Sequence, residues 1–202
     1  MKIIQIAKRS RILTTEFKNS KLKGNNKRYA GRYINRFMGM KAASDLLIRG
    51  LFPNAKEITE SFAAVEACRH LPVEWNEDIT VVCVGDGHAP RTAASFAFMS
   101  KWECHSVDPK MRDKEWNIER LTTHRFKIED CWLSFNKPCV IVCVHSHARI
   151  ENTLPYIKAP VRHLITMECC VPLGIKGVEP DVDYEDDDVW SPKNRIKIWK
   201  NV

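Results

Sequence analysis

Ile79-Thr-Val-Val-Cys-Val-Gly-Asp-Gly-His-Ala-Pro-Arg-Thr-Ala93 decides the fold. Its first six residues have buried-strand character. A Gly85-Asp86-Gly87 turn follows, and Pro90 stands where the first turn of a helix would begin. Glycine lets the backbone turn sharply and lets a ligand approach, while a helix start offers free N–H groups. Roughly 20 residues further on, Trp102-Glu-Cys-His-Ser-Val-Asp108-Pro109 reads as a second strand ending in an acid, placed to accept hydrogen bonds from ribose hydroxyls.

Outward from this unit the alternation continues. Strand-like runs occur at Trp102–Val107, His124–Ile128, Pro138–Val144 and Val161–Met167, with helical segments between them, notably Arg91–Lys101 and Arg149–Ile157. Near-continuous apolar strands separated by helices predict a parallel sheet covered on both faces. Before the sheet, Ile34–Leu51 carries a helical rhythm. A second helix is predicted from Glu57 to His70, with Ile58, Phe62, Val65 and Cys68 on one face. After it, an acid-rich stretch over 178–189 turns at Ser191-Pro192 into the alternating Asn194-Arg-Ile-Lys-Ile-Trp199, predicted as a final strand at the sheet edge. The fold class is therefore α/β, Rossmann-like, mostly parallel with an antiparallel last strand and helices on both faces.

The 202 residues carry a net charge of +7, unevenly spread. Residues 1–36 hold 11 Lys/Arg and one acid, Glu16, whereas 37–202 hold 21 Lys/Arg and 24 acids. This divides the chain into a basic N-terminal arm, 1–36, and a domain, 37–202. Such an arm suits a phosphate backbone, so RNA or DNA is the expected partner; a solvated tail is the bland reading. Tyr29, Tyr33 and Phe37 lie among its charges as candidate stacking residues, Phe37 better suited to the core. No apolar run reaches the roughly 18 residues of a membrane span, and the start is too short in apolar character for a signal peptide. The eight cysteines lack CxxC spacing, which points to free thiols and a cytoplasmic, reducing setting. The vicinal pair Cys169-Cys170 stands apart, with metal or redox use as its functional reading.

With strand, Gly-Asp-Gly turn, helix, strand and Asp108-Pro109 in order, residues 75–200 resemble the class I S-adenosylmethionine-dependent methyltransferases. The resemblance implies S-adenosylmethionine across the carboxyl edge of the sheet. Gly85, Asp86, Gly87 and His88 would pass under its methionine part. Asp108, with Pro109, would hold the ribose. Glu129, Asp130 and Cys131, in Phe126-Lys-Ile-Glu-Asp-Cys-Trp132, would face the adenine. The third glycine of the family pattern is absent here.

The end of the fourth main strand is where that family places its reacting groups, and here it reads Val144-His145-Ser146-His147-Ala148. The Asn/Asp-Pro-Pro-aromatic motif of base-directed amino-methyltransferases is missing. So is the Lys-Asp-Lys-Glu set of ribose methyltransferases. His145 and His147 are the candidate catalytic bases, because imidazole titrates near neutral pH. Alternate residues on an extended chain share a face, so the pair also suits a metal, with His88, His105 and Asp86 at neighbouring strand ends; or it merely lines a cleft. Asp86 has a structural reading too, as a cap for the following helix. Trp102, Trp116 and Trp132 read as core or rim residues. Two function classes stay open: a methyltransferase acting on RNA or DNA, and a degenerate member with a binding or structural role. A metal-dependent hydrolase is a third and weaker reading.

Overall fold

The structure, a computed structural model, describes residues 31–202. In chain order its helices are α1 (Arg32–Met38), α2 (Ala43–Ile48), α3 (Ala55–Ala67), α4 (Arg91–Met99) and α5 (Ile150–Thr153). Its strands are β1 (Thr80–Val84), β2 (Glu103–Val107), β3 (Leu121–His124), β4 (Leu133–Ser134), β5 (Cys139–Val144), β6 (Ile157–Lys158), β7 (Arg162–Met167), β8 (Val182–Glu185) and β9 (Arg195–Trp199).

Seven strands form one sheet in the order β3-β2-β1-β5-β7-β9-β8, and β4 pairs with β6 in a small separate ladder. The neighbours from β3 to β7 are all parallel, and β9 runs antiparallel to both β7 and β8. β1 and β5 are buried along their whole length, as strands covered on both faces must be. The chain winds one way from β1 through β2 to β3, then returns to the other side of β1 for β5. That reversal opens a crevice outside the carboxyl ends of β1 and β5, the place where open α/β sheets bind ligands.

The two faces are covered unequally. On one, α1, α3 and α4 bring Phe37, Phe62 and Phe96 against Val81, Val140 and Ile165. Phe37 meets Phe62 edge-on at 5.8 Å between ring centres. Full burial of each such ring contributes about 1.5–3 kcal/mol. On the other face, among the described residues, α5, short 3-10 turns, the β4–β6 ladder and the loop after β7 bring Leu133, Ile150, Ile157 and Leu173 together with Trp199 of β9. No helix among the described residues is long and apolar enough to cross a membrane.

Several local expectations are corrected. The helix expected over 34–51 is two helices, because the chain leaves the first at Gly39, whose N–H caps the carbonyls of Asn35 and Phe37. The strand expected at His124–Ile128 lies earlier, at Leu121–His124; Ile128 begins a 3-10 turn and buries its side chain there. The segment 149–157 holds one α-helical turn and one 3-10 turn. β9 is not at the edge: it is inserted between β7 and β8, and β8 is the edge strand. Tyr33 is unavailable for base stacking. It is fully buried with Phe37, and its hydroxyl donates to Asp186 at 2.5 Å. Residues 32–36, basic by count, are thus helical and packed on the domain. Tyr29 and the rest of the arm lie outside the described residues.

Candidate functional site

The crevice is built by two turns pressed together. Gly85 has φ +83°, and a Cβ on it would come within 2.9 Å of the Ser146 Cα. Only glycine lets the turn after β1 lie directly on the turn after β5. Gly87, at φ +81°, continues the bend. Asp86 points inward and is almost wholly buried. Its carboxylate accepts the N–H groups of Thr92 and Ala93 at 3.0 and 3.1 Å and the Ser106 hydroxyl at 2.9 Å. The structural reading of Asp86 therefore holds: it caps α4, and only its backbone belongs to the turn.

Asp108 closes the next side. One oxygen accepts the Gly87 N–H at 2.8 Å and the other the Lys110 N–H at 2.7 Å. The carboxylate thus ties the end of β2 to the Gly-Asp-Gly turn. Each oxygen keeps a second lone pair for a further donor. His88 and Pro109 are exposed beside it. Further along the same edge, Glu129 accepts from the Asn152 amide at 3.3 Å, Asp130 is exposed and Cys131 is buried. Trp102 and Trp116 are core residues, but Trp132 is 66% exposed, with Tyr156 at 5.0 Å and the Lys158 ammonium over its ring.

His145 follows β5 with φ +49°, a conformation costly for a side chain with a Cβ and often found at functional sites. Its N–H donates to the Met167 carbonyl at 2.8 Å. Its ring reaches under α3, where Nε2 lies 2.8 Å from Oε1 of Glu60, at ion-pair distance but without aligned hydrogen-bond geometry. The same oxygen accepts from Lys56 at 2.8 Å. Glu60 is only 2% exposed. Burial pushes its carboxyl pKa up, yet His145 and Lys56 outweigh that and hold it below the usual range. Among the described residues, His145 Nδ1 has no hydrogen-bond partner.

Glu60 and Lys56 were not read as site residues, because charges on a helix before the sheet look like a solvated face. The available signal was Thr59-Glu60-Ser61, a polar run set between the apolar Ile58 and Phe62 of the helix's buried face.

The other candidate ligands disperse. His105 pairs with His124 at 3.0 Å and with Glu103 at 3.2 Å on the far side of β2. His147 does not join His145 in one site. It is exposed, and its Nε2 lies 3.3 Å from Cys170 Sγ, which is 3.6 Å from Cys169 Sγ. All eight cysteines are free; six are buried. Burial pushes the Cys139 and Cys143 thiols up to about 12, which makes them inert. Cys169 is the opposite case. Its partial burial is outweighed by the backbone N–H groups of Val171 and Cys170, which hold its pKa below the ordinary thiol value.

Around Cys83, Gly85, Asp86 and Val144 the β1 and β5 turns pack so closely that no room is left for a water molecule between them. An open groove of about 720 Å³, lined by Lys158, Pro160, Arg162 and Val202, lies at the opposite, amino-terminal edge of β7. The topology and the glycine turns mark the carboxyl edge as the site, and the groove has neither.

No family model matches the chain, and no curated protein matches it. Solved structures do. A mutant of MtNAS in complex with S-adenosylmethionine aligns over 86% of this chain and 72% of its own, at 11% identity and TM-score 0.52. The same mutant in a second crystal structure aligns over 87% and 71%, at 13% identity and TM-score 0.51. A SAM-dependent methyltransferase of Leishmania major aligns over 93% and 90%, at 11% identity and TM-score 0.49. Strand order, the antiparallel β9 and the likeness to MtNAS agree: the chain has a Rossmann-like α/β fold, mostly parallel with an antiparallel β9.

Proposed function

We propose that the protein binds S-adenosylmethionine at the carboxyl edge of β1, β2 and β5 and is a methyltransferase. The observation that carries this is the coupling of Asp108 to the Gly87 N–H across the switch-point crevice. The fit rests on three features. Gly85 and Gly87 give the turn the positive φ that brings its backbone to the crevice, each Asp108 oxygen keeps a second lone pair for a ribose hydroxyl, and Trp132 offers an exposed aromatic ring beyond Asp130. The closely packed turns leave no room there for even a water molecule, so ligand entry requires the turns at 85–90 and 145–148 to part.

When bound, the cofactor supplies an electrophilic methyl group. The chain's own residues hold it and orient an acceptor, and orientation provides most of the rate. His145 is the base of this reading. Glu60 Oε1, 2.8 Å from Nε2, fixes where the ring lies; both ring nitrogens are buried, so an acceptor meets them once the turn at 145–148 has opened. His147 lies outside this arrangement. The acceptor is RNA or DNA, reached through the basic arm, and the setting is cytoplasmic. The support for both is the charge division and the free thiols.

A second reading, a binding protein without turnover, is favoured by the self-satisfied carboxylates of Asp86 and Asp108. Calorimetry with S-adenosylmethionine and its demethylated product separates the cases. Binding of both, weakened by about 1–3 kcal/mol in Asp108→Ala, supports the cofactor reading. Absence of heat at millimolar ligand removes it. Binding without methyl transfer to RNA or DNA selects the second reading.

A further inference from the structure

The strands β5 and β7 are parallel neighbours, so the chain leaves both at the same edge of the sheet. The turn after β5 carries His147, and the turn after β7 carries Cys169 and Cys170. Their donor atoms, His147 Nε2 and the two Sγ, all lie within 4.8 Å of one another. No other group of three or more His, Cys, Asp or Glu among the described residues comes together in this way. Nothing in the proposed methyl transfer uses them.

We propose that His147, Cys169 and Cys170 form a site for a zinc-class divalent ion, with its fourth position open to water.

The donor spacing is that of a coordination tetrahedron before the ion has drawn it tight. Zinc–sulfur bonds of about 2.3 Å and zinc–nitrogen bonds of about 2.0 Å put tetrahedral donors ~3.8 Å apart for two sulfurs and ~3.5 Å apart for sulfur and nitrogen. The observed separations are 3.6 Å between the two Sγ atoms and 3.3 Å between Cys170 Sγ and His147 Nε2. Two edges of the tetrahedron are therefore within a few tenths of an ångström of what the ion requires. Thiolate and imidazole together select zinc over magnesium or calcium, which take oxygen donors.

The rival use of a vicinal pair is a disulfide, and the backbone disfavours it. Adjacent Cα atoms across a trans peptide are about 3.8 Å apart, short of the roughly 4.4–6.8 Å that disulfides span. Access also favours a metal. His147 and Cys170 are exposed and Cys169 is half-buried, whereas the other six thiols are sealed in the core. The site adjoins the candidate methyl-transfer crevice, since Cys169 Sγ lies 3.7 Å from the His145 carbonyl oxygen. It does not depend on cofactor binding and stands or falls separately.

The test is titration of the reduced full-length protein with cobalt(II), followed by zinc competition against a chromophoric chelator. One equivalent of cobalt is expected to produce a thiolate-to-metal charge-transfer band and the d–d intensity of a tetrahedral site, both abolished by one equivalent of zinc. Cys170→Ser is expected to halve the charge-transfer intensity, and Cys169→Ser/Cys170→Ser to remove it. His147→Ala removes a ligand outright, so its loss of zinc affinity is expected to exceed the ~10–100-fold typical of an outer partner. The three positions lie outside the core, and circular dichroism confirms that each variant is folded. If the wild-type protein gives no charge-transfer band at stoichiometric cobalt, the site does not exist. If a folded double-serine variant keeps the band, the ligands are other thiols and the assignment is overturned.

Discussion

Glu60 Oε1 stands 2.8 Å from His145 Nε2 and 2.8 Å from Lys56 Nζ, so one buried oxygen meets nitrogens from two different elements. The carboxylate joins α3, laid down before the sheet, to the turn that follows β5. A buried acid held ionised in this way is a strained investment unless its partner has work to do.

Glu60→Gln is expected to lower stability at pH 7 by about 1–3 kcal/mol, because a charged pair is replaced by a neutral contact. It also changes the acid limb. The folded-state pKa of Glu60 is depressed, so its stabilisation is present above the unfolded value near 4.3 and lost as pH falls through the lower folded value. Urea denaturation between pH 3 and pH 7 checks this. The variant curve should be flatter than wild type below about pH 4.3; parallel curves would remove Glu60 from the acid transition.

Gly85→Ala and Gly87→Ala are both placed at positive φ but should differ in cost. At Gly85 the new methyl meets the Ser146 backbone, which cannot retreat without separating the two turns. At Gly87 it meets the Arg91 guanidinium at 3.2 Å, the far end of a flexible side chain. Chemical denaturation should show a loss above ~2 kcal/mol for the first and about 1 kcal/mol for the second. Equal losses would mean that backbone strain alone matters at both.

His105 and His124 share one ring-to-ring contact of 3.0 Å. Burial lowers the pKa of both. For His124 the second cause is His105 itself; for His105, Glu103 opposes burial without cancelling it. A histidine with a depressed folded pKa takes up its proton more readily when unfolded, so stability falls as pH drops below about 6.5 and levels off beneath the folded value. Thermal melts of wild type from pH 7.5 to 5 should show that decline, and His124→Gln should reduce it. An unchanged slope would place the titration elsewhere.

Deletion of residues 1–28 is expected to abolish most RNA and DNA binding while cofactor affinity stays nearly constant. Binding by the full chain should fall steeply with salt, as counterion release requires. A fluorescence titration at two ionic strengths checks it. Equal weak binding by both proteins at low salt would show that the arm meets no nucleic acid.

The parts of the fold legible in the sequence were those under the tightest physical demand. β1, β5 and β7 are buried on both faces, so their apolar runs admit no other reading. β3 and β8 sit at the two sheet edges and carry Leu-Thr-Thr-His and Val-Asp-Tyr-Glu, patterns that half-exposed strands share with loops. The Gly85 turn and Asp108 were legible as elements of a crevice. What Asp86 does was legible only as one of two options, since a carboxylate after a strand serves a ligand or a helix equally well. Glu60 was hidden by its distance in sequence from His145, while Lys56, one helical turn before it, reads as an ordinary surface pair. His147 and the cysteine pair were each noticed alone, but parallel pairing of β5 with β7 is what joins them, and pairing is not written in either segment.

The insertion of β9 between β7 and β8 has a consequence for a chain emerging from the ribosome. β8 is made first, yet its ladder partner is β9, so it has nothing to pair with until β9 follows it. During that interval it is an orphan edge of the kind that seeds intermolecular association. When Arg195 arrives it takes Asp183 in a bidentate grip at 2.6 and 2.7 Å. Asp183 thus ties β8 to β9 diagonally across the ladder, gripping Arg195 while its own paired partner is Lys197.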